Sequence, residues 1–347
     1  MRDLFRAKST GIALCTAVSI VTLSPAWGQQ QIPIGTLPPE IAAAIKSAPL
    51  TQSLIPISGD EKFPQQIVKA DEISFAANAK LTLTNFSVPW IVVAAQRLKF
   101  ATPEAYSIVQ RDPSKLTADR GSDGSQGATG ADHPGETNRT GNSGYPGGPG
   151  GPGGHGATQQ LPTIYLVVGD ILDPKGPIPP GLLNLVLIGR GLDGGDGGTG
   201  GRGGTGGRAG NGKEGATHAF DCGEGGGPGG TGGAAGPGGR GGDAGGGGNG
   251  AAFVLVTTKP AYDVLSFVRI NNTGGRAGLP GRGGNAGTPG PGGKGAGSNG
   301  WCKATNDGPS GPYPSPANLG DGGPNVDGQK GSVTAVILPS VKQLFGP

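Results

Sequence analysis

Short runs of aliphatic and β-branched residues recur along the chain, separated by long stretches that contain few hydrophobic side chains. The run 164–168 is apolar at every position, which is typical of strands in parallel sheets that are covered on both faces. We therefore predict an all-β fold with parallel sheets. The predicted strands are 70–75, 81–84, 90–100, 106–111, 164–172, 182–190, 252–258, 264–271 and 332–338.

Most predicted strands come in pairs, and a glycine-rich excursion separates one pair from the next. A short parallel β-solenoid explains this order, because each turn of the coil contributes two strands and each excursion can leave from the same corner. Stacked corners would then place three long glycine-rich hairpins side by side. The expected solenoid base comprises 63–120, 158–190, 251–273 and 332–347, and the excursions are 121–157, 191–250 and 274–331.

Glycine recurs at every third residue within the excursions, for example throughout 227–248. A polyproline-II or polyglycine-II helix has three residues per turn, so this period places the glycines along one edge of an extended helix. An edge without side chains lets a neighbouring backbone approach, and the N–H and C=O groups can then bond between helices. We expect the excursions to pack as a bundle of six such helices.

Two architectures satisfy this geometry: a bundle folded from one chain, and a collagen triple helix built from three chains. The glycine runs are short, and 195–210 is mostly Gly-Gly-X with no proline. The middle excursion alone carries long Gly-Gly-X runs, as a hairpin with a neighbour on each side requires. These features favour the single-chain bundle over the collagen-like trimer.

The first 28 residues have the pattern of a secretory signal. Basic residues precede an apolar stretch from about Gly11 to Leu23, and 26–28 reads Ala-Trp-Gly, with small residues where cleavage needs them. We expect 1–28 to be removed and the mature protein to be periplasmic, cell-surface or extracellular. Segment 29–62 is predicted to carry a short helix at 38–46 that caps the open end of the solenoid.

Composition and charge narrow the function classes. With 75 Gly and 32 Pro among 347 residues, and aromatic residues at 5%, an ordinary globular enzyme is disfavoured. The formal net charge of +3 with mixed signs gives no electrostatic case for a nucleic-acid partner. No later apolar run is long enough to span a membrane. The outer faces of the apolar strands need cover, from the excursions or from a second protomer in a homo-oligomer.

Cleavage after residue 28 would leave two cysteines, Cys222 and Cys302. Each lies between the outward and the return glycine run of its excursion, and adjacent hairpins of similar length bring such points together. In an oxidising compartment a disulfide then forms. Free thiols and bridges between chains are the alternatives.

Nothing in the sequence marks a catalytic site, a metal site or a cofactor site, so we expect a non-enzyme. The histidines His133, His155 and His218 have no metal-ligand spacing. Aromatic residues near the excursion tips can stack on sugar rings or anchor a protein partner, or they can pack locally around the disulfide. The candidate recognition residues at the tips are His218, Phe220, Trp301, Lys303 and Tyr313.

The glycine-rich part resembles known families. The run GGDGGTGGR at 194–202 is similar to the polyglycine-II bundles of snow flea antifreeze proteins and of phage long-tail-fibre tip adhesins. The run GRAGLPGRG at 275–283 resembles secreted bacterial proteins described as collagen-like. The resemblance implies the bundle fold, and the adhesin likeness implies recognition by tip loops. Here those loops correspond to 131–140, 213–225 and 299–319.

Three functions follow from these patterns. The first is a non-catalytic, adhesin-like exported protein that presents tip loops to a surface polysaccharide or a surface protein. The second is a collagen-like, trimeric structural component. The third is a carbohydrate-active enzyme on a solenoid, although no row of acidic residues supports it. We expect the first.

Overall fold

Two parallel β-sheets contain most of the regular secondary structure in the computed structural model, which describes residues 31–346. The signal sequence expected at 1–28 lies outside the described residues. The fold is all-β in class, with few helices, as predicted. The elements are α1 (Pro39–Ser47), β1 (Gln52–Ile57), β2 (Asp60–Phe63), β3 (Ile67–Phe75), β4 (Lys80–Leu83), β5 (Trp90–Phe100), β6 (Ser107–Arg111), β7 (Glu136–Thr137), β8 (Thr140–Gly141), β9 (Thr163–Asp173), β10 (Gly176–Pro177), β11 (Leu185–Ile188), β12 (Ala216–Thr217), β13 (Cys222–Glu224), β14 (Phe253–Thr257), α2 (Lys259–Leu265), β15 (Arg269–Asn271), β16 (Val333–Ile337) and a 3₁₀ turn (Lys342–Leu344).

The chain alternates between the two sheets. The larger sheet has the order β1-β3-β5-β9-β14-β16, with β10 antiparallel to β9, and the smaller sheet has the order β15-β11-β6-β4-β2. Every pairing along these two orders is parallel. Each glycine-rich segment therefore leaves the smaller sheet and re-enters the larger one.

The space between the sheets is filled by aliphatic and aromatic side chains from both. Phe75 and Phe100 stack with ring centroids 5.1 Å apart, and Leu81 and Leu187 approach from the smaller sheet. All four side chains are buried. Residues that alternate along a strand point to opposite faces, so each strand of the larger sheet also presents an outer apolar row.

That outer row is covered by the chain's own segments, which corrects two expectations. Ile41 and Ile45 of α1 pack in one cluster with Val92, Val167 and Val256 of the larger sheet, and the 3₁₀ turn joins the same cluster. The helix at 38–46 thus lies on the outer face of the larger sheet and does not cap an end of the sheets. Because this face is already covered, a homo-oligomer through the outer apolar face of the larger sheet is not supported.

The strand predictions differ from the structure at two places. The sheets begin at β1 and β2, before the expected start at residue 63. The strand 60–63 is polar, so its hydrophobic pattern does not predict it, and it joins the smaller sheet by pairing with β4. The predicted strand 264–271 is partly helical: α2 ends at Leu265, and only Arg269–Asn271 form a strand. The buried side of α2 is formed by Ala261, Val264 and Leu265.

Six glycine-rich tracts lie between the sheet strands, joined mainly by hydrogen bonds between segments remote in the chain. Tract 3 contacts four others: Gly124 donates to Thr199, Gly198 to Gly154, Gly242 to Gly198 and Gly197 to Leu279, with N···O distances of 2.7–2.8 Å. The same contacts recur at every third residue. We number the tracts as tract 1 (119–133), tract 2 (141–157), tract 3 (191–212), tract 4 (227–250), tract 5 (274–296) and tract 6 (306–331).

Tract 3 shows why two of every three residues in the middle tracts are glycine. A Cβ atom on Gly200 would lie 2.1 Å from the carbonyl oxygen of Gly239, and one on Gly201 would lie 1.8 Å from that of Ser125. Real Cβ atoms do not approach backbone so closely. The third position, Arg202, projects into solvent. Tracts 1, 3 and 5 hydrogen-bond side by side in one layer, and tracts 2, 4 and 6 form a second layer.

Candidate functional site

Three connecting loops meet at the ends of the tracts, and we call them the tip loops: 134–140, 213–226 and 297–305. The first contains the hairpin of β7 and β8, and the second contains β12 and β13. The two-residue turn of the first hairpin, Asn138 and Arg139, has positive φ at both positions (47° and 74°). This pattern is that of a type I′ turn, which matches the twist of a two-residue hairpin.

Arg139 ties the first tip loop to the second. Its guanidinium group donates to the carbonyl oxygens of Gly225 (2.8 Å) and Glu214 (3.0 Å), and it pairs with the Glu224 carboxylate. The carbonyl oxygen of Arg139 accepts the N–H of Lys213 at 2.9 Å. One side chain therefore holds the neighbouring loop through several charge-assisted hydrogen bonds.

A disulfide ties the second tip loop to the third. The Sγ atoms of Cys222 and Cys302 are 2.07 Å apart and the Cα atoms are 4.8 Å apart, and the two cysteines are separated by 80 positions in sequence. Cys302 is buried, and its backbone exchanges hydrogen bonds with that of Asn299. The Asn299 side chain in turn donates to the carbonyl oxygen of Gly215. The three loops therefore form one connected end of the molecule.

Four predicted recognition residues lie on this end. The Phe220 side chain is 88% exposed and that of Trp301 is 63% exposed. His218 and Lys303 are also exposed. The imidazole of His218 lies over Gly223, where a Cβ atom would be 1.9 Å from the ring. The tip thus presents two large apolar rings beside polar groups, at the loops that the disulfide joins.

Tyr313 lies in tract 6 and not at the tip, which corrects its assignment. Its neighbour Pro312 accepts the N–H of Ala235, and Ala317 accepts that of Gly238, so tract 6 uses five residues where tract 4 uses three. The extra residues form a bulge on which Tyr313 is 68% exposed. The glycine period does not show how soon the third loop turns back, so the predicted tip 299–319 is longer than the loop 297–305 that the structure shows.

A polar cleft on the larger sheet was missed by the sequence analysis. The lining residues include Ser53, Asp71, Gln96, Gly169 and Thr258, which follow one another across adjacent strands, and the cleft has a volume of about 540 Å³. Asp71 accepts hydrogen bonds from Ser53 (3.0 Å) and Gln96 (2.8 Å), and the Gly169 carbonyl accepts one from Thr258 (2.7 Å). Polar residues at equivalent positions of successive strands could have revealed this row.

The described residues also bear on metal binding, on membrane spans and on the histidines outside the tip loops. Within 31–346, no group of three His, Cys, Asp or Glu side chains is arranged to hold a metal ion. None of the helices in this range has the length and apolarity that crossing a membrane requires. His133 stacks on Tyr145 with centroids 5.0 Å apart, and His155 pairs with Asp243 at 3.3 Å. These two histidines therefore have local partners within the tracts.

Comparison of the chain with protein-family models, with curated proteins and with solved structures gives no match. The resemblance to polyglycine-II proteins therefore depends on the glycine-rich sequence alone. The function is therefore inferred from the geometry of the tip loops and of the tract surfaces.

Proposed function

We propose that the protein is an exported, non-catalytic recognition protein of adhesin-like type. In this proposal the two sheets form a short parallel β-solenoid, and the six tracts pack as a polyglycine-II bundle of three hairpins. The bundle holds the tip loops away from the base and presents them to a surface polysaccharide or a surface protein. A disulfide within one chain is consistent with export to an oxidising compartment.

The hydrogen bonds between tracts support the bundle. Most N–H groups of the repeating glycines donate to a carbonyl oxygen in another tract of the same chain. Others, such as those of Gly283 and Gly323, donate to aspartate side chains of a neighbouring tract, so no second chain is needed to satisfy them. A collagen triple helix would instead pair three chains. The alternation of the strands between two parallel sheets likewise supports a coil with one strand per sheet in each turn.

The observation that carries the recognition role is the exposure of Phe220 and Trp301 on loops that are fixed by a disulfide and by Arg139. Large exposed rings normally lower solubility, so a fixed pair of them marks a contact surface. Such rings stack on sugars or fill a pocket in a protein partner. Because the loops are already joined, little conformational entropy would be lost on binding.

A binding experiment tests this role. The mature protein is applied to an array of glycans and purified surface polysaccharides, alongside the double variant Phe220→Ser, Trp301→Ser. We expect the variant to lose at least about tenfold in affinity for any bound glycan, as the loss of two anchor residues gives. The matched control replaces two exposed apolar residues outside the tip, Leu116 and Val326, with serine and should bind as the parent does. Glycan binding that survives the tip substitutions would refute the tip assignment.

The collagen-like alternative makes a different prediction. A trimeric structural component would sediment as a trimer and melt with loss of a collagen-type circular dichroism signal. We expect a monomer, since the tracts satisfy one another within the chain.

One observation favours the enzyme alternative: the carboxylates of Asp71 and Asp170 both line the polar cleft. Paired carboxylates are the groups that glycoside hydrolysis uses. However, both oxygens of Asp71 already accept hydrogen bonds from neighbouring strands. Release of reducing ends from a polysaccharide, abolished by Asp71→Asn, would favour the enzyme over the recognition protein.

A further inference from the structure

Four arginines on the glycine-rich tracts have exposed side chains without a partner: Arg202 and Arg208 on tract 3, and Arg276 and Arg282 on tract 5. In the described part of the chain, no ion pair, side-chain hydrogen bond or ring contact involves these four guanidinium groups. Every other arginine from residue 31 onward has one. Those paired arginines are Arg97, Arg111, Arg120, Arg139, Arg190, Arg240 and Arg269.

The four side chains project from the same surface. The hydroxyl groups of Thr205 and Thr288 lie 3.3 Å apart, which places the solvent-facing position of tract 3 beside that of tract 5. Arg202 and Arg208 lie three residues before and after Thr205. Arg276 and Arg282 lie twelve and six residues before Thr288, so all four keep the three-residue period. We call this surface, defined by the four arginines, the arginine face.

The hydrogen bonds between tracts 3 and 5 show how far apart the four arginines lie along the arginine face. Asp193 accepts the N–H of Arg276, an offset of 83 residues, so Arg276 and Arg282 lie level with positions 193 and 199 of tract 3. At about 3.1 Å per residue, the four arginines follow one another at intervals of about 19, 9 and 19 Å. The result is a sparsely charged line in which the two arginines of tract 5 are followed by the two of tract 3.

Carboxylates lie beside this line and reduce its net positive charge, but none of them pairs with the four guanidinium groups. Asp132 of tract 1 accepts the backbone N–H of Arg208. Asp193 bonds the side chain of Arg190 and the backbone N–H of Arg276, and Asp196 accepts the backbone N–H of Leu279. Their carboxylates therefore serve the contact between tracts. Hydroxyl groups such as those of Thr199 and Thr288 lie exposed between the arginines.

We propose that the arginine face binds a linear acidic polysaccharide. Guanidinium groups bind carboxylates through paired hydrogen bonds, and the intervening hydroxyl groups can bond to those of sugars. The wide spacing suits a polymer with separated charges. Successive phosphates on one DNA strand rise only about 3.4 Å along the helix axis, so most of them would find no arginine here. The arginine face is separate from the tip loops, so it adds a second binding surface to the proposed function.

The test measures binding of the disulfide-intact mature protein to sodium alginate, a polyuronate, with neutral dextran as the uncharged polymer. In the test variant, Arg202, Arg208, Arg276 and Arg282 are replaced by glutamine. A matched control makes the same change in charge elsewhere, by glutamine at Lys46, Lys175, Arg240 and Lys330. We expect the test variant to lose about tenfold or more in affinity, as the loss of four exposed ion pairs gives. The control variant and the Phe220→Ser, Trp301→Ser variant should bind alginate as the parent does.

Salt and competing polymers complete the test. Parent binding should weaken as the salt concentration rises, because exposed charges are screened. Four results would overturn the proposal: no binding to alginate at low salt, equal binding to dextran, equal losses in the test and control variants, or tighter binding to duplex DNA or anionic vesicles than to alginate. These outcomes do not depend on the glycan experiment with the tip residues. The Phe220→Ser, Trp301→Ser variant serves as a control here, so alginate binding can be lost or kept independently of binding at the tip.

Discussion

A methyl group on Gly201 would lie 1.8 Å from the carbonyl oxygen of Ser125, in a tract some 76 residues earlier in the chain. The atoms that this methyl group would meet belong to the backbone of Ser125 and Gly124, so no flexible side chain can move away to make room for it. We predict that Gly201→Ala destabilises the protein by about 3 kcal/mol or more, as severe overpacking does. Denaturant unfolding of parent and variant measures the difference.

Gly297→Ala is the matched control for that substitution. The nearest atom to its added methyl group is a carboxylate oxygen of Glu214 at 3.9 Å, at the end of a mobile side chain. Because alanine restricts the unfolded chain more than glycine does, we expect no loss of stability here. Equal losses for the two variants would show that close packing between tracts is not what the glycines provide.

Three aspartates link the stability of the tracts to pH. A backbone hydrogen bond, from Thr199 to Asp123, from Gly323 to Asp243 and from Gly295 to Asp307, is the main cause that lowers the pKa of each carboxyl group. A lowered pKa in the folded state stabilises the protein above the unfolded value of about 3.9, and this contribution is lost as pH falls through the folded pKa. We predict that the melting temperature falls below about pH 4.

The triple variant with asparagine at 123, 243 and 307 isolates this effect. Asparagine keeps an acceptor oxygen but does not titrate, and Asn211 already accepts the N–H of Lys294 in the same way. The melting temperature of the variant should therefore depend less steeply on pH between 4 and 2. A slope as steep as that of the parent would mean that other groups control acid unfolding.

The bond between Cys222 and Cys302 should contribute strongly to stability. It closes a loop of 80 residues, which the chain-entropy treatment values at roughly 4–5 kcal/mol. We predict that the Cys222→Ser, Cys302→Ser variant unfolds at a lower urea concentration by a corresponding amount. Mass spectrometry after alkylation of the non-reduced parent should detect no free thiol in the mature chain; two alkylated cysteines would exclude the bond.

Lys69 fixes the covering helix α1 to the larger sheet. Its buried ammonium group donates to the carbonyl oxygens of Ile45 (2.8 Å) and Ala48 (2.9 Å) at the end of α1. In the Lys69→Met variant these carbonyls lose their partner, at a cost of roughly 1–3 kcal/mol. Calorimetry of this variant beside Lys46→Met, an exposed lysine of the same helix, should show a lower melting temperature for Lys69→Met alone.

Much of the fold class follows from the sequence, because long apolar strands have few other options. The predicted strand 90–100 coincides with β5, and 164–172 nearly coincides with β9. Both strands lie inside the larger sheet with a strand on each side, so the apolar pattern of the sequence and the packing of the fold predict the same element. The strand at 60–63 has no such pattern and depends on its partner β4, which sequence periodicity does not reveal.

The position of α1 and the length of the third tip loop depend on distant contacts. An amphipathic helix can cover any apolar surface, and only Lys69 and the valines of the larger sheet show which one. Similarly, Tyr313 lies on a bulge in which five residues of tract 6 cover the length that three residues of tract 4 cover. By contrast, the pairing of Arg240 is local, because its partner Asp243 lies three residues later, whereas the residue three after Arg202 is Thr205.

The most direct test of the account is residue-resolved amide hydrogen exchange of the mature protein, combined with sedimentation at the same concentration. The account predicts a monomer in which the amides of Gly197, Gly200 and Gly239 are strongly protected, because each donates to a carbonyl oxygen in another tract. Gly225, whose backbone N–H donates to no acceptor among the described residues, should exchange much faster. Exchange of the tract amides at unfolded-chain rates, or protection that appears only in a trimer, would contradict it.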